Sequence, residues 1–302
     1  MIATTNSKTE VSYRDRQTGK IIPETIFMED TLRWLYENPL GFEIFERLLN
    51  NYSFSDMVGK WQDRPCNQKR IKKFIYKYHI NIEEAELPLG KYDNFNDFFS
   101  RRLKLDARPF VASKNVLTSA GDGKIIVYPF LEKESLIPVK RGLISPEYLL
   151  SDNATAKIYF GGSALVLRLA PYDYHRFHFV DDGLAGNVRN IKGQYHSVNP
   201  IALDKVPQLY YFNKRTVTEL TSSKLGKITY VEVGAFCVGS IIQTFIPGYV
   251  TRGQEKGYFR LGGSTSVLLF EPGAIRFDND LVADSEQGLE VQVKTGTRIG
   301  IK

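Results

Sequence analysis

Two of the four histidines in this 302-residue chain lie three positions apart, in the segment from Tyr174 to His178. Imidazole titrates near pH 6.5, so a histidine can accept and return a proton at neutral pH. On a regular strand, positions 175 and 178 would face opposite sides, and no cysteine or run of carboxylates follows to complete a metal site. The pair of His175 and His178 therefore indicates acid-base chemistry, and we expect no metal.

An acid and a hydroxyl accompany these histidines elsewhere in the chain. Asp122 stands between two glycines just before an apolar stretch, a pattern that on its own is typical of a turn but that also lets other groups approach the carboxylate. Ser264 follows Gly263, whose carbonyl carbon no Cβ shields, so the hydroxyl could attack that carbon and convert the peptide bond into an ester. The stretch from Gly262 to Ser266 lacks the Gly-x-Ser-x-Gly elbow, so it is a weak signal for an ordinary hydrolase.

The order of these elements resembles that of the phosphatidylserine decarboxylases, the self-processing pyruvoyl enzymes of phospholipid synthesis. The shared elements are Gly121-Asp122-Gly123, Tyr174 to His178 and Gly263 to Thr265, and the similarity extends from about Tyr13 to the C-terminus. One departure is visible, because Ala120-Gly121 stands where the family usually has Pro-Ala before the acid. The acid itself stays in place.

The resemblance implies a role for each of these residues. Asp122 would orient His178, His178 would deprotonate Ser264, and Ser264 would attack the carbonyl of Gly263, splitting the chain into a β fragment (1–263) and an α fragment (264–302). Ser264 would become a pyruvoyl group, with neither pyridoxal phosphate nor a metal. His175 would take a proton-handling or carboxylate-facing role, although spacing alone does not separate the tasks of the two histidines.

The activity implied by the resemblance is the decarboxylation of phosphatidylserine to phosphatidylethanolamine and CO2 through a Schiff base on the pyruvoyl ketone, which acts as an electron sink. Such an enzyme would be a peripheral membrane protein on the cytoplasmic face of the cell membrane. Its expected partners are phosphatidylserine, an anionic membrane surface and its own two fragments, as a heterodimer or a dimer of heterodimers, with no nucleic acid. The formal charge of +6 suits anionic partners.

The pattern along the chain predicts an α+β fold, with a helical N-terminal region followed by a mainly antiparallel β-rich catalytic core. Asp30, Asn38-Pro39 and Asn94 are typical of helix starts, and Asn94 would cap a helix over Phe95 to Leu103. We expect residues 1–105 to form a helical membrane-associating region and residues 106–302 the pyruvoyl decarboxylase core. The predicted strands are Lys124 to Pro129, Lys157 to Leu169, Ile228 to Val233, Val238 to Phe245, Ser266 to Phe270 and Gly288 to Lys294.

A basic amphipathic helix is predicted from about Asn67 to His79. Its apolar stripe is Ile71, Phe74, Ile75 and Tyr78, and lysines and arginines cover the rest. The stripe could lie in a bilayer interface or pack inside the protein, and the sequence leaves both open. No window approaches 18 consecutive apolar residues and the first 15 residues have no apolar core, so we expect neither a spanning segment nor a cleaved signal. Two cysteines provide no disulfide framework.

Three alternatives remain at this point. The first is a pyruvoyl decarboxylase for another serine phospholipid, such as one with ether-linked isoprenoid chains. The second is a serine hydrolase that uses Ser264, His178 and Asp122 on an external ester, which a permanently intact Gly263 to Ser264 bond would favour. The third is a basic membrane-binding or nucleic-acid-binding module, suggested by the basic helix and the isoelectric point near 9.1.

Overall fold

The computed structural model describes residues 11–132, 137–139, 142–236, 240–262 and 264–302. Within these ranges, five α-helices occupy the N-terminal third and five more lie between strands further along the chain. Asn38, Asn51, Asn67 and Asn94 each cap the following helix by accepting a backbone N–H on a side-chain oxygen. The helices are α1 Glu29–Glu37, α2 Pro39–Ile44, α3 Tyr52–Gln62, α4 Gln68–Lys77, α5 Phe95–Phe99, α6 Pro146–Leu150, α7 Asn153–Ala156, α8 Pro200–Lys205, α9 Leu209–Phe212 and α10 Asn279–Glu286, with a π-helical turn at Phe45–Leu49 and 3₁₀ turns at Ile82–Glu84, Leu89–Lys91 and Lys157–Tyr159.

Strands are the main regular structure among the described residues after position 115. The strands are β1 Ser12–Asp15, β2 Ile21–Pro23, β3 Val116–Thr118, β4 Gly123–Tyr128, β5 Ile137–Val139, β6 Gly142–Ile144, β7 Ser163–Leu169, β8 Arg176–His178, β9 Gly183–Ala185, β10 Arg189–Ile191, β11 Arg215–Ser222, β12 Gly226–Val233, β13 Ile241–Gln243, β14 Gly248–Val250, β15 Glu255–Phe259, β16 Ser264–Phe270, β17 Arg276–Phe277, β18 Glu290–Val293 and β19 Arg298–Ile301. The expected α+β fold with a mainly antiparallel core is confirmed.

The largest sheet has the order β14-β9-β11-β12-β16-β7-β4-β18-β1-β2, with β10 paired to β11. All its pairs are antiparallel except β1 with β18. Smaller sheets are β13-β15-β8 and β17-β19-β3. Strand β16 lies inside the large sheet between β12 and β7, and all seven of its residues are buried, which explains why its last four residues, Val267 to Phe270, are apolar without alternation.

The helices of the N-terminal third form a layer that packs against the sheet, and we call α1 to α5 with their connections the helical layer. Tyr36 and Phe45 of this layer join the main core, whereas Ile71 and Phe74 of α4 pack with Phe95, Phe98 and Phe99 of α5 in a second cluster. Ile75 and Tyr78 pack against the same cluster. The apolar stripe of α4 therefore faces the protein, which decides between the two interpretations of that helix.

Three predicted boundaries need correction or restriction. Lys157 to Leu169 is not one strand, because Asp152 caps a short helix by accepting the Ala154 and Thr155 N–H groups, and β7 begins only at Ser163. The helix predicted to reach Leu103 ends at Phe99. Part of the predicted strand from Val238 to Phe245 lies outside the described residues. The division at residue 105 stays a prediction, although β1 and β2 join the main sheet.

Candidate active site

Ser264 is the first residue of β16 and its side chain is fully buried. Its Oγ lies 3.4 Å from Nδ1 of His175. The other ring nitrogen of His175, Nε2, lies 3.0 Å from the carbonyl oxygen of Ala170, which can only accept a hydrogen bond. Nε2 therefore carries the proton, and the lone pair of Nδ1 faces the serine hydroxyl. This is the tautomer that an acceptor of the Ser264 proton requires.

His175 is held in an apolar and positively charged setting. Its ring stacks on Phe99 with the centroids 3.9 Å apart, and none of its surface is exposed. Burial, together with the nearby positive charge of Arg101, lowers the pKa of His175 to about 3. His175 is consequently neutral at physiological pH.

His178, at the end of β8, has a different setting. Its ring lies between Tyr174 and Phe110, each with its centroid 6.0 Å away. Burial lowers the pKa of His178, but the charges of Glu255 and Asp122 act in the opposite direction and favour its protonated form. Within the described part of the chain, Nδ1 of His178 is buried without a hydrogen-bond partner. A buried polar atom left in this way costs free energy and is typical of a functional position.

Asp122 immediately precedes β4 and is buried. Its carboxylate accepts hydrogen bonds from the Arg108 guanidinium at 2.7–3.0 Å, and from the backbone N–H and hydroxyl of Thr295 at 2.9 and 2.7 Å. Gly123 next to it has φ +153°, and a Cβ there would lie 2.4 Å from the carbonyl oxygen of Arg168. The glycine is thus required because β4 and β7 approach closely, and this approach places Asp122.

The described residues therefore bring Ser264 to His175, and they place no hydrogen bond between Asp122 and His178 or between His178 and Ser264. Gly263 lies outside the described residues. The roles assigned to these residues stay predictions. The sequence reasoning missed Arg108 and Thr295, the two partners of Asp122. Arg108 stands in the segment from Ala107 to Pro109, which resembles the family, but no pattern in the sequence pointed to Thr295.

The connection that leads to Ser264 is fastened to the helical layer. Oδ1 of Asn96 accepts the N–H of Leu261 at 3.0 Å, and Nδ2 of Asn96 donates to Oδ1 of Asp63 at 2.9 Å. Arg260 forms an ion pair with the same Asp63 carboxylate. Gly262 has φ +134°, in the region that favours glycine. Hydrogen bonds from α5 and a charge beyond the end of α3 thus fix the chain just before Ser264.

A cavity of about 800 Å³ lies between the helical layer and the sheet, next to this connection. Its walls are mainly apolar, and it reaches Gly262, Leu169 and Ala170. The volume falls in the range of small-molecule sites, about 300–1,000 Å³. Its apolar walls include Phe27, Leu35, Phe54, Trp61, Phe74 and Leu261. The cavity can therefore take an elongated apolar ligand and bring one end of it close to residue 264.

Neither a metal centre nor a spanning helix emerges from the described ranges. They contain no group of three or more histidine, cysteine and carboxylate side chains that could hold a metal ion. They also contain no helix with the length and apolar character needed to cross a membrane.

Comparison with known proteins supplies the family. A family model described as phosphatidylserine decarboxylase matches residues 95–301. A phosphatidylserine decarboxylase proenzyme of Clostridium novyi is 44% identical over 280 residues, covering 92% of this chain and 95% of the relative. Proenzymes of the same description from Clostridium botulinum and Chlamydia muridarum are 43% and 42% identical, and each alignment covers at least 96% of both chains. The chain belongs to the phosphatidylserine decarboxylase family, which confirms the resemblance seen in the sequence.

Proposed function

We propose that this protein is a proenzyme that cleaves itself before Ser264 and then decarboxylates phosphatidylserine to phosphatidylethanolamine. The observation that carries the proposal is that residue 264 is fully buried with the neutral imidazole of His175 3.4 Å away, so a group formed from this serine would lie beside a proton carrier for turnover. The adjoining apolar cavity, with Gly262 in its wall, gives a lipid access to the same point. Membership of the family supports both halves of the proposal.

The atoms of the self-cleavage reaction balance with water as the external reagent. The Ser264 oxygen attacks the carbonyl carbon of Gly263 and the amide C–N bond breaks, which leaves an ester and a free amino group on residue 264. Removal of the Cα proton then expels the carboxylate of Gly263 and ends the β fragment. The dehydroalanine left behind tautomerises and takes up one water, releasing one ammonia and leaving a pyruvoyl ketone.

The surroundings of residue 264 fit a small ketone, because the position is fully buried next to His175, whose ring stacks on Phe99. The ketone would supply a carbonyl that condenses with the substrate amine and accepts the electron pair released as CO2 leaves. The protein's own contribution is to exclude water from this position and to hold a neutral imidazole against it. Low polarity also favours loss of a charged carboxylate as a neutral gas.

The two histidines are proposed to divide the proton transfers. His178 has Glu255 and Asp122 nearby to stabilise its protonated form, so it is the better base for processing, although its ring must first move towards Ser264. His175 keeps its place against residue 264 after cleavage, so it is suited to exchange a proton during turnover.

Two variants test this division. We expect His178→Ala to remain a single chain, and His175→Ala to be cleaved but to decarboxylate at least 100-fold more slowly than the wild type. Denaturing mass spectrometry measures cleavage and CO2 release measures turnover. If His175→Ala remains whole while His178→Ala is cleaved, the imidazole nearest to Ser264 performs the processing and the division is reversed.

The two fragments are proposed to stay together as a heterodimer. Strand β16 of the α fragment pairs along its whole length with β12 on one side and β7 on the other, both from the β fragment. Thr295 on Asp122 and Glu290 on Arg168 add buried polar contacts between the fragments. The α fragment, residues 264–302, is shorter than chains that usually fold alone, so separation from the β fragment would unfold it.

The protein is also proposed to act as a peripheral enzyme on the cytoplasmic face of the cell membrane. Trp34 and Trp61 line the cavity and are 45% and 54% exposed. Leu48, Tyr52 and Met57 of the same helical layer are exposed as well. Half-exposed tryptophans are favourable at the boundary between water and lipid. Docking by this face would let a lipid enter the cavity without crossing water.

A further inference from the structure

Three cations of α4 line the apolar cavity. Arg70, Lys73 and Lys77 follow a spacing of three and four residues, which places them on one face of the helix. All four lysines of this helix are exposed, but Lys69 and Lys72 are not part of the cavity wall, whereas Lys73 and Lys77 line it beside the half-buried Arg70. The helix therefore places three of its positive charges at the rim of the cavity and two away from it.

The cations on the cavity side have no carboxylate partner among the described residues. The acids of the neighbouring α3 region bind other cations, Asp56 with Lys60 and Asp63 with Arg260. Glu24, in the cavity wall, binds Arg168. In a chain whose ion pairs are otherwise numerous, positive charge has been left uncompensated beside an apolar cavity.

Arg70 shows how this positive charge is maintained. Its guanidinium donates to Oε1 of Gln62 at 2.6 Å and lies over the rings of Trp61 and Phe95, with the carbon 4.8 and 4.5 Å from their centroids. Burial lowers the pKa of Arg70, and no carboxylate offsets that effect. The neutral amide and the ring faces orient the guanidinium without neutralising it. Its positive charge is therefore available to an anionic ligand.

The ligand that fits this combination is an amphiphile with an anionic group next to apolar chains. A partly desolvated guanidinium such as that of Arg70 gains most from an anion that accepts charge-assisted hydrogen bonds, and a phosphodiester offers two such oxygens. The carboxylate of phosphatidylserine is a poorer match, because under the proposed function it must lie at residue 264 to be lost. In phosphatidylserine, the phosphodiester lies between the serine headgroup and the acyl chains. The three cations likewise lie at a boundary, the one between the cavity and the solvent.

We propose that Arg70, Lys73 and Lys77 form the subsite for the substrate's phosphodiester, with the acyl chains along the apolar wall and the serine headgroup directed to residue 264. The subsite rests on the proposed function and deepens it, by naming what selects a phospholipid over other serine derivatives. The occupant is the substrate itself rather than an anionic lipid of the bilayer.

A pair of double variants in neutral detergent micelles tests the subsite. We expect Lys73→Gln with Lys77→Gln to be cleaved completely, to keep kcat within about twofold and to raise KM for phosphatidylserine at least tenfold. Lys69→Gln with Lys72→Gln removes the same charge from the same helix on the solvent side, and we expect it to keep the wild-type KM.

A substrate without phosphate separates the subsite from general electrostatics. For a long-chain alkyl ester of serine, we expect the Lys73/Lys77 variant and the wild type to have equal kcat/KM. The proposal is overturned if the two double variants raise KM equally or if neither raises it. It is also overturned if the Lys73/Lys77 variant loses as much kcat/KM with the phosphate-free ester as with phosphatidylserine. A wild type that is cleaved or uncleaved but never decarboxylates phosphatidylserine would instead contradict the proposed function.

Discussion

Two arginines, one in the sheet and one in the helical layer, are stabilised in opposite ways. Arg168 of β7 is buried and binds Glu24 and Glu290, each through two hydrogen bonds. Burial alone would raise the pKa of Glu24, but the charges of Arg168 and Lys124 lower it to about 2. Arg70 of α4 is half-buried and, among the described residues, has an amide and two rings in place of any carboxylate.

The difference separates two functions of charge in one molecule. Within the sheet, opposite charges neutralise each other and hold the strands that position residue 264. In the helical layer, cations remain available to a ligand. Substitutions in the sheet should therefore affect folding and self-cleavage, whereas substitutions in the helical layer should affect binding.

The largest effect is expected for Arg168→Met. Removing this cation leaves Glu24 and Glu290 buried with one partner fewer, and breaking a buried pair in this way costs about 3–5 kcal/mol. Urea denaturation should be measured on the Ser264→Ala background, so that the chain stays whole. Arg14→Met, which removes a more exposed pair with Asp284, is the control and should cost at most about 1 kcal/mol. If the two variants lose the same free energy of unfolding, burial of the Arg168 ion pairs contributes nothing to stability.

The next largest effect is expected where the helical layer contacts the connection that leads to Ser264. Asn96→Leu removes the acceptor for the Leu261 N–H and the donor to Asp63, so the connection before Ser264 loses its fixed position. We expect self-cleavage to slow by about 10- to 100-fold in a time course after cell-free synthesis, as expected when a reacting group is misplaced.

Controls for Asn96 distinguish positioning from folding. Asn94→Ala removes the cap of the same helix, at a cost of about 1 kcal/mol, without touching Leu261. It should be cleaved at the normal rate. The double variant Asn96→Asp with Asp63→Asn keeps an acceptor for the Leu261 N–H and reverses the direction of the hydrogen bond between residues 96 and 63. It should therefore recover part of the self-cleavage rate. Normal cleavage in folded Asn96→Leu would contradict the positioning role.

A smaller effect is expected in the pH dependence of stability. The pKa of His175 is about 3 in the folded chain and near 6.5 when unfolded, so the unfolded chain binds more protons between these values. Its contribution to the free energy of unfolding is complete above pH 6.5 and falls by about 1.4 kcal/mol per pH unit below it. In the Ser264→Ala background, His175→Gln should reduce the slope by about one proton between pH 6 and 4. A slope that His175→Gln leaves unchanged would contradict the lowered pKa of His175 in the folded chain.

The smallest effect is expected on the outer face of the helical layer. Trp34→Ala with Trp61→Ala removes two half-exposed rings near the cavity, and we expect binding to vesicles containing phosphatidylserine to weaken about tenfold while self-cleavage is unchanged. Sedimentation with vesicles measures the binding. Tyr249→Ala, on the edge strand β14, removes a more exposed ring far along the sheet order and should have no effect. Unchanged binding of the tryptophan variant would exclude this face from docking.

Local chemistry explains which parts of the fold could be predicted. The asparagine caps of α2, α4 and α5 act within three residues, so the sequence showed where those helices begin. The part of β16 from Ser266 to Phe270 could be predicted because its last four residues are all apolar, as expected for a strand buried on both faces. The start of β7 was misplaced because Asp152 and two glycines, rather than propensity, decide where the preceding turn ends.

The active site was predictable in composition but not in arrangement. Asp122, His175, His178 and Ser264 could be named as candidates, since the residue types needed for the chemistry are scarce or follow the family's pattern, and their roles stay predictions. Ser264 begins β16 in the large sheet, whereas His175 immediately precedes β8 in a smaller sheet. Their contact depends on how the two sheets pack together, which the spacing of residues in the sequence does not encode. Thr295, as a partner of Asp122, comes from 173 positions along the chain. The cavity arises only when the helical layer packs on the sheet.

The central claim, that the bond before Ser264 is replaced by a ketone, is tested most directly by denaturing mass spectrometry of freshly purified wild-type protein beside Ser264→Ala. We predict two fragments for the wild type, with the smaller beginning at residue 264 and carrying a pyruvoyl group in place of a free amino terminus, and one intact chain for the variant. A wild type that decarboxylates phosphatidylserine as a single uncleaved chain would contradict the account, and an uncleaved chain with esterase turnover would favour a serine hydrolase.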